Sequence, residues 1–352
     1  MRAKLDSRAA SRDDGSPVQD RLIFLIGAPR SGTTLLARML SAHSMVYGRA
    51  EPHLITPIAH LGYFGKVQKA PYDPNNAEQA IRELVADLPG GEADYLDALR
   101  AYTDALYGKL LALAPGKRLF LDKTPAYALV LPFLTKLYPQ AHYVVLTRHP
   151  LAVLSSYVES FFDGDWQVAI THNPILARYV PALASMVRER PVPLVHVKYE
   201  ELVKDPETHF RRVCEHVGIP FEAGAIAYGE SGESFKGLGD PTGVGQHTRP
   251  VTTSVSKWAA EIAAQPDVLA LVSTLLDELD PADLETLGYP RAKIVEQLAA
   301  AKGAPVPVKA QGPLRYRLER KVLVALRRNI HRNALGKLVT RLRFALDVLL
   351  RE

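Results

Sequence analysis

A chain of 352 residues, 47% hydrophobic and 23% charged, is long enough to bury its own core and has the balance of a globular protein, not of a disordered or fibrous one. Its single cysteine excludes an intrachain disulfide, and no apolar run approaches the roughly 20 residues of a membrane-spanning helix. The net charge of +5 is uneven: positions 314–352 carry eleven Lys and Arg against three acidic residues, so the body is slightly acidic, which argues against nucleic acid and for an anionic surface or partner at the tail.

Residues 1–20 are polar and charged, without the apolar stretch of a secretory signal, and read as a disordered leader of a cytoplasmic protein. Leu22–Ile26 is a short apolar run suited to a buried parallel strand. A loop over 27–32 leads to a helix over 33–43, with Leu35, Leu36, Met39 and Leu40 on one face. The spacing predicts helix over 76–114 with a break at Pro89-Gly90-Gly91, a strand at 118–121, a helix at 127–138 and a strand at 142–147. Helices at 151–162 and 174–190, a strand at 194–197 and a helix at 207–217 follow, the last holding Cys214 on its apolar stripe as a core residue. Residues 229–253 read as a long loop, 301–313 as a linker and 314–352 as a basic amphipathic helix for membrane attachment or dimerisation. Short strands alternating with helices predict an α/β fold of P-loop type, a mostly parallel sheet with helices on both faces, over 21–300.

The strongest local signal is Gly27-Ala28-Pro29-Arg30-Ser31-Gly32-Thr33-Thr34 between that first strand and helix. Backbone N–H groups and the positive end of the helix converge there on an anion, and Arg30, Ser31, Thr33 and Thr34 add donors. The spacing is that of a P-loop, but Thr33 stands where the lysine belongs. A nucleoside-triphosphatase or kinase needs that lysine, so this function class is disfavoured. The loop resembles the one that holds the 5′-phosphosulfate in sulfotransferases that use 3′-phosphoadenosine 5′-phosphosulfate (PAPS). Arg30, Ser31, Gly32, Thr33 and Thr34 match position by position, with the tyrosylprotein branch and its bacterial relatives the nearest likeness.

A second strand end carries Arg148, which can fork onto a phosphate, with Ser156 two helical turns later. The resemblance implies that this pair holds the 3′-phosphate. It also implies that Tyr199, in Tyr199-Glu200-Glu201-Leu202, lies near the adenine, and that Arg249 and Lys257, in Arg249-Pro250 and Ser256-Lys257-Trp258, belong to a late loop closing over the cofactor. By the same likeness, Lys123 in Asp122-Lys123-Thr124-Pro125 stabilises the transferring sulfate, with Arg30 as a further cation, and Glu51, eight residues past His43, is the general base. His53 is the second choice as base, His43 reads as structural, and Asp122 as orienting Lys123.

The resemblance therefore implies sulfuryl transfer from PAPS, giving 3′,5′-ADP, without a metal; no Cys/His cluster here has metal-ligand spacing. A glycan, glycolipid or small-metabolite hydroxyl is the favoured acceptor. Protein tyrosine, or a non-enzymatic scaffold on the same fold, is the alternative.

Overall fold

The computed structural model describes residues 17–66, 73–229 and 247–303. Five strands, β1 (Leu22–Ile26), β2 (Val46–Ala50), β3 (Leu119–Lys123), β4 (His142–Thr147) and β5 (Leu194–Lys198), form one parallel sheet in the order β2-β3-β1-β4-β5. β1 and β3 are buried along their whole length, so continuous apolar runs mark them where alternation would mark a one-sided sheet.

Helices cover both faces. Ile23, Leu25, Val144 and Leu146 pack against helices Thr33–Ala42 and Pro206–Val217 on one side. Cys214 is buried there, and burial pushes its thiol up to about 12, which makes it a core residue and not a nucleophile. On the other side Phe24 meets the rings of Tyr107, Tyr127, Tyr138 and Tyr143 at centroid distances of 5.5–6.4 Å. Ile294 and Leu298 of helix Arg291–Ala300 belong to that same core.

The strand order sets the site. From β1 the chain goes to β2 and β3 on one side, then crosses to β4 and β5 on the other. The reversal falls between β1 and β4, whose ends run in register with Ile26 opposite Val145. Loops leaving adjacent strands at such a point open a crevice for a ligand.

The expected α/β class holds, with four differences. β2 was not anticipated: it is an edge strand in which Gly48 and the exposed Arg49 interrupt any apolar run. Lys123 is the last residue of β3, where the expected strand ended at 121. Residues 127–138 divide into a 3₁₀ turn, Pro125–Leu129, and a helix, Leu131–Leu137. A short helix, Tyr199–Lys204, precedes Pro206–Val217, where Asp205 caps the second helix by accepting from Thr208 N.

The expected leader up to residue 16, residues 230–246 of the long loop, 304–313 of the linker and the 314–352 tail lie outside the described residues. Among the described residues no single helix is long and apolar enough to cross a membrane.

Candidate functional site

The loop after β1 closes through Ser31 N donating to Ala28 O at 3.2 Å. Two glycines have no substitute. A Cβ on Gly27 would lie 2.6 Å from Leu146 O, and one on Gly32, whose φ is +98°, would lie 2.3 Å from the Tyr199 ring. Arg30 adopts a φ of 68° without glycine's exemption, strain that the surrounding contacts hold in place. Gly32 caps helix Thr33–Ala42 with no side-chain hydrogen bond, so the positive helix end is left for an anion. Ser31 Oγ is buried beside it with no partner among the described residues.

Arg148 stands at the neighbouring strand end. Its Nη1 donates to Arg30 O at 3.1 Å and its Nη2 to Ser254 O at 2.7 Å, while Nε is buried without a partner. The guanidinium lies 4.5 Å from the centroid of the Tyr199 ring. Burial pulls it down from the usual arginine range, and no carboxylate among the described residues comes within ion-pair distance. A buried cation held by carbonyls and a ring is matched to an incoming anion.

Ser156 Oγ accepts from Arg30 Nε at 3.2 Å, so Arg30 reaches away from its own loop toward the Arg148 side. Tyr199 OH pairs with Ser254 Oγ at 2.8 Å. Glu200 holds the turn after Arg148 by accepting from His149 N at 2.9 Å and Tyr289 OH at 2.8 Å. A cavity of about 20 Å³ behind these groups, walled by Ala28, Ser31, Arg148, Ile175 and Tyr179, holds little more than one water and is no acceptor pocket.

The second half of the site lies at the ends of β2 and β3. Lys123, 1% exposed, donates from Nζ to Glu51 Oε1 at 2.7 Å and reaches Thr34 Oγ1 at 3.5 Å. That contact joins the acid–cation pair to the helix opened by the phosphate loop. Glu51 N also donates to Lys123 O at 3.0 Å, which prolongs the β2–β3 ladder. Glu51 Oε2 faces His53 Nε2 at 4.0 Å, with the two side chains 24% and 43% exposed. Both residues have left-handed backbone, φ 48° and 53°, where neither is glycine.

Other expected residues are placed as follows. Lys257 Nζ donates to Glu159 Oε2 at 3.2 Å, and Glu159 lies one turn beyond Ser156 on helix Pro150–Phe162. Arg249 is exposed, and its carbonyl accepts from Tyr228 OH at 3.3 Å. His43 is fully buried: Nδ1 accepts from Met45 N at 3.0 Å and Nε2 donates to Pro220 O at 2.7 Å, a structural role. Asp122 is buried and accepts from Tyr107, Tyr127 and Thr124 hydroxyls.

Ser254, Glu159, Glu200 and Tyr127 were not singled out from the sequence. Glu200 lies inside the quoted Tyr199-Glu200-Glu201-Leu202 segment and Ser254 two residues before Ser256-Lys257-Trp258, so that proximity was the available signal. Nothing in the spacing marks Tyr127 or Glu159.

Residues 22–223 match the sulfotransferase family model. Over 232 residues the chain is 32% identical to nodulation protein NoeE of Sinorhizobium fredii (strain NBRC 101917 / NGR234), covering 59% of this chain and 52% of that protein. It is 28% identical over 292 residues to human protein-tyrosine sulfotransferase 1, covering 78% and 74%. The chain thus spans about half the length of the nodulation protein. A solved structure, the sulfotransferase domain of the Synechococcus PCC 7002 olefin synthase, is 25% identical, with a TM-score of 0.47 over 74% of this chain and 94% of that one.

Proposed function

The chain belongs to the sulfotransferase family, and from that premise we propose that it moves a sulfuryl group from PAPS to an acceptor hydroxyl, giving 3′,5′-ADP. The observation that carries the proposal is Lys123: one buried ammonium bonded to Glu51 and reaching Thr34 of the phosphate-loop helix. A base, a cation and an anion cradle are what in-line transfer of a charged group needs.

The chain's groups fit such a donor. Ser31 Oγ and Arg148 Nε are buried donors with no partner among the described residues, and Gly27 and Gly32 keep the backbone open to a bound anion. Ser31, Gly32, Thr33 and Thr34 would hold the 5′-phosphosulfate. Arg148 and Ser156, with Arg30 bonded to Ser156, would hold the 3′-phosphate, with Tyr199 beside the nucleoside and Lys257 on the covering segment. When bound, the donor supplies a sulfuryl group activated by its anhydride link to phosphate.

Glu51 Oε2, the oxygen that Lys123 leaves free, takes the proton of the acceptor hydroxyl as its oxygen bonds to sulfur. Lys123 Nζ neutralises the charge left on the former bridging oxygen as the sulfur–oxygen bond breaks. Arg30 adds positive charge from the loop. No metal has a role in this scheme.

We favour a glycan, glycolipid or small-metabolite hydroxyl as acceptor. The 28% identity to human protein-tyrosine sulfotransferase 1 supports a protein tyrosine as the second reading. A cytoplasmic location, with the basic 314–352 segment at an anionic membrane face or a dimer seam, completes the proposal. The test is transfer of labelled sulfate from PAPS into a fractionated cell extract without added metal. The product class names the acceptor, and absence of label transfer with intact 3′,5′-ADP binding returns the scaffold alternative.

A further inference from the structure

The turn that carries Glu51 is strained at two positions and held at two points. At its start Glu51 N bonds Lys123 O at 3.0 Å. At its end Ile55 N donates to Tyr127 OH at 3.1 Å. Tyr127 OH in turn donates to Asp122 Oδ2 at 3.0 Å, in the residue before Lys123. Tyr107 OH donates to the same oxygen at 2.7 Å, and Thr124 Oγ1 to the other at 3.0 Å, so the buried carboxylate accepts three hydroxyls. Tyr127 is fully buried, and burial raises its phenol far above the ordinary range, so the hydroxyl stays a donor to Asp122 and an acceptor from Ile55.

A left-handed, non-glycine backbone at both Glu51 and His53 is costly and persists only when neighbouring contacts over-determine it. We infer that Tyr127, oriented by Asp122, is a positioning residue for sulfuryl transfer: it pins the far end of the Glu51–Ile55 turn and so fixes the direction of the Glu51 carboxylate. This rests on Glu51 being the base. Tyr107 supplies the internal control, since it satisfies the same Asp122 oxygen and no contact of its hydroxyl with the turn is found.

The test compares Tyr127→Phe with Tyr107→Phe in the full chain. Hydrogen exchange of peptides spanning 50–58, 3′,5′-ADP affinity and steady-state kinetics are measured for each. Tyr127→Phe is expected to speed exchange in that segment and lower kcat about 10- to 100-fold, with the KM for PAPS and 3′,5′-ADP affinity unchanged. Tyr107→Phe is expected to leave both exchange in 50–58 and kcat near wild type. Intact 3′,5′-ADP binding shows that each variant is folded. If Tyr127→Phe leaves exchange in 50–58 unchanged, or both variants act alike, the positioning role is overturned. If exchange rises and kcat does not fall, Tyr127 holds the turn but the base is not on it, and it is the assignment of Glu51 that fails.

Discussion

Lys123 Nζ and Glu51 Oε1 lie 2.7 Å apart, an ion pair whose lysine is buried and whose carboxylate is partly open to solvent. The pair joins the chemistry to the sheet, because each residue sits at the end of its own strand. Glu51→Gln keeps the size and removes the proton acceptor. Its single-turnover rate should fall roughly 10²–10⁴-fold with PAPS affinity nearly unchanged, while His53→Ala loses much less. The reverse ranking would make His53 the base. Because the two partners act as a unit, Lys123→Met and Glu51→Gln should also be strongly non-additive in a double-mutant cycle.

Arg148 is a buried cation whose Nε has no partner among the described residues. The 3′-phosphate role proposed for it makes 3′,5′-ADP the tighter ligand over 5′-AMP, without Mg²⁺. A charge-assisted hydrogen bond contributes roughly 1.5–3 kcal/mol, so Arg148→Ala should weaken 3′,5′-ADP about tenfold or more and leave 5′-AMP little changed. Calorimetry decides this, and equal affinity of the wild type for both nucleotides counts against the two-site scheme.

Gly32 faces the Tyr199 ring so closely that a methyl group has nowhere to go. Gly32→Ala should therefore lose nucleotide binding and stability together. Tyr199→Ala in the same chain removes the clash but not the positive φ, which still costs roughly 1–2 kcal/mol. Thermal unfolding of the single and double variants should show partial recovery; complete recovery would mean that the backbone angle is not needed.

Stability should depend on acid through two histidines, His149, which is buried, and His196, which is half-buried. Burial, with the nearby Arg148 charge adding to it, pulls His149 down to about 3; burial pulls His196 down to about 4. Unfolded, both bind a proton near the ordinary 6.5, so the folded state loses stability as pH falls through the window between 6.5 and those values. Asp122 opposes them: burial raises it to about 6, so its folded form gains on protonation below that value. The two histidines together outweigh one carboxylate. His149 alone contributes a loss of about 2 kcal/mol between pH 6.5 and about 5. His149→Phe keeps a ring on Trp258, which His149 stacks at 4.0 Å, and should flatten the pH slope in urea unfolding. An unchanged slope would assign the acid sensitivity elsewhere.

The elements that build the phosphate loop were legible because they are local. Leu22–Ile26 is an unbroken apolar run, the donors follow it within eight residues, and β4 with Arg148 repeats the pattern. β2 was not, since an edge strand with Gly48 and Arg49 needs no apolar run. The Asp122 network was invisible for a different reason. Tyr107, Tyr127 and Ile55 come from three separate segments, and only the packed fold brings the two tyrosines to one carboxylate and Ile55 to Tyr127. Glu51 and Lys123 were named through likeness to a family, whereas their pairing rests on a strand register that no spacing in the sequence encodes.

That register, with Ala50 opposite Lys123, has a consequence for how the chain tolerates change. The next residue, Glu51, is kept beside its lysine by main-chain pairing at the ~4.8 Å pitch of a sheet, although 72 positions separate them along the chain. Their distance is set by the β2–β3 register and not by the residues between them in sequence. Beyond Ile55, which the Tyr127 hydroxyl anchors, changes of length before β3 should therefore leave the Glu51–Lys123 pair in place. The pair stays mounted on two neighbouring strands, whatever the length of chain that joins them.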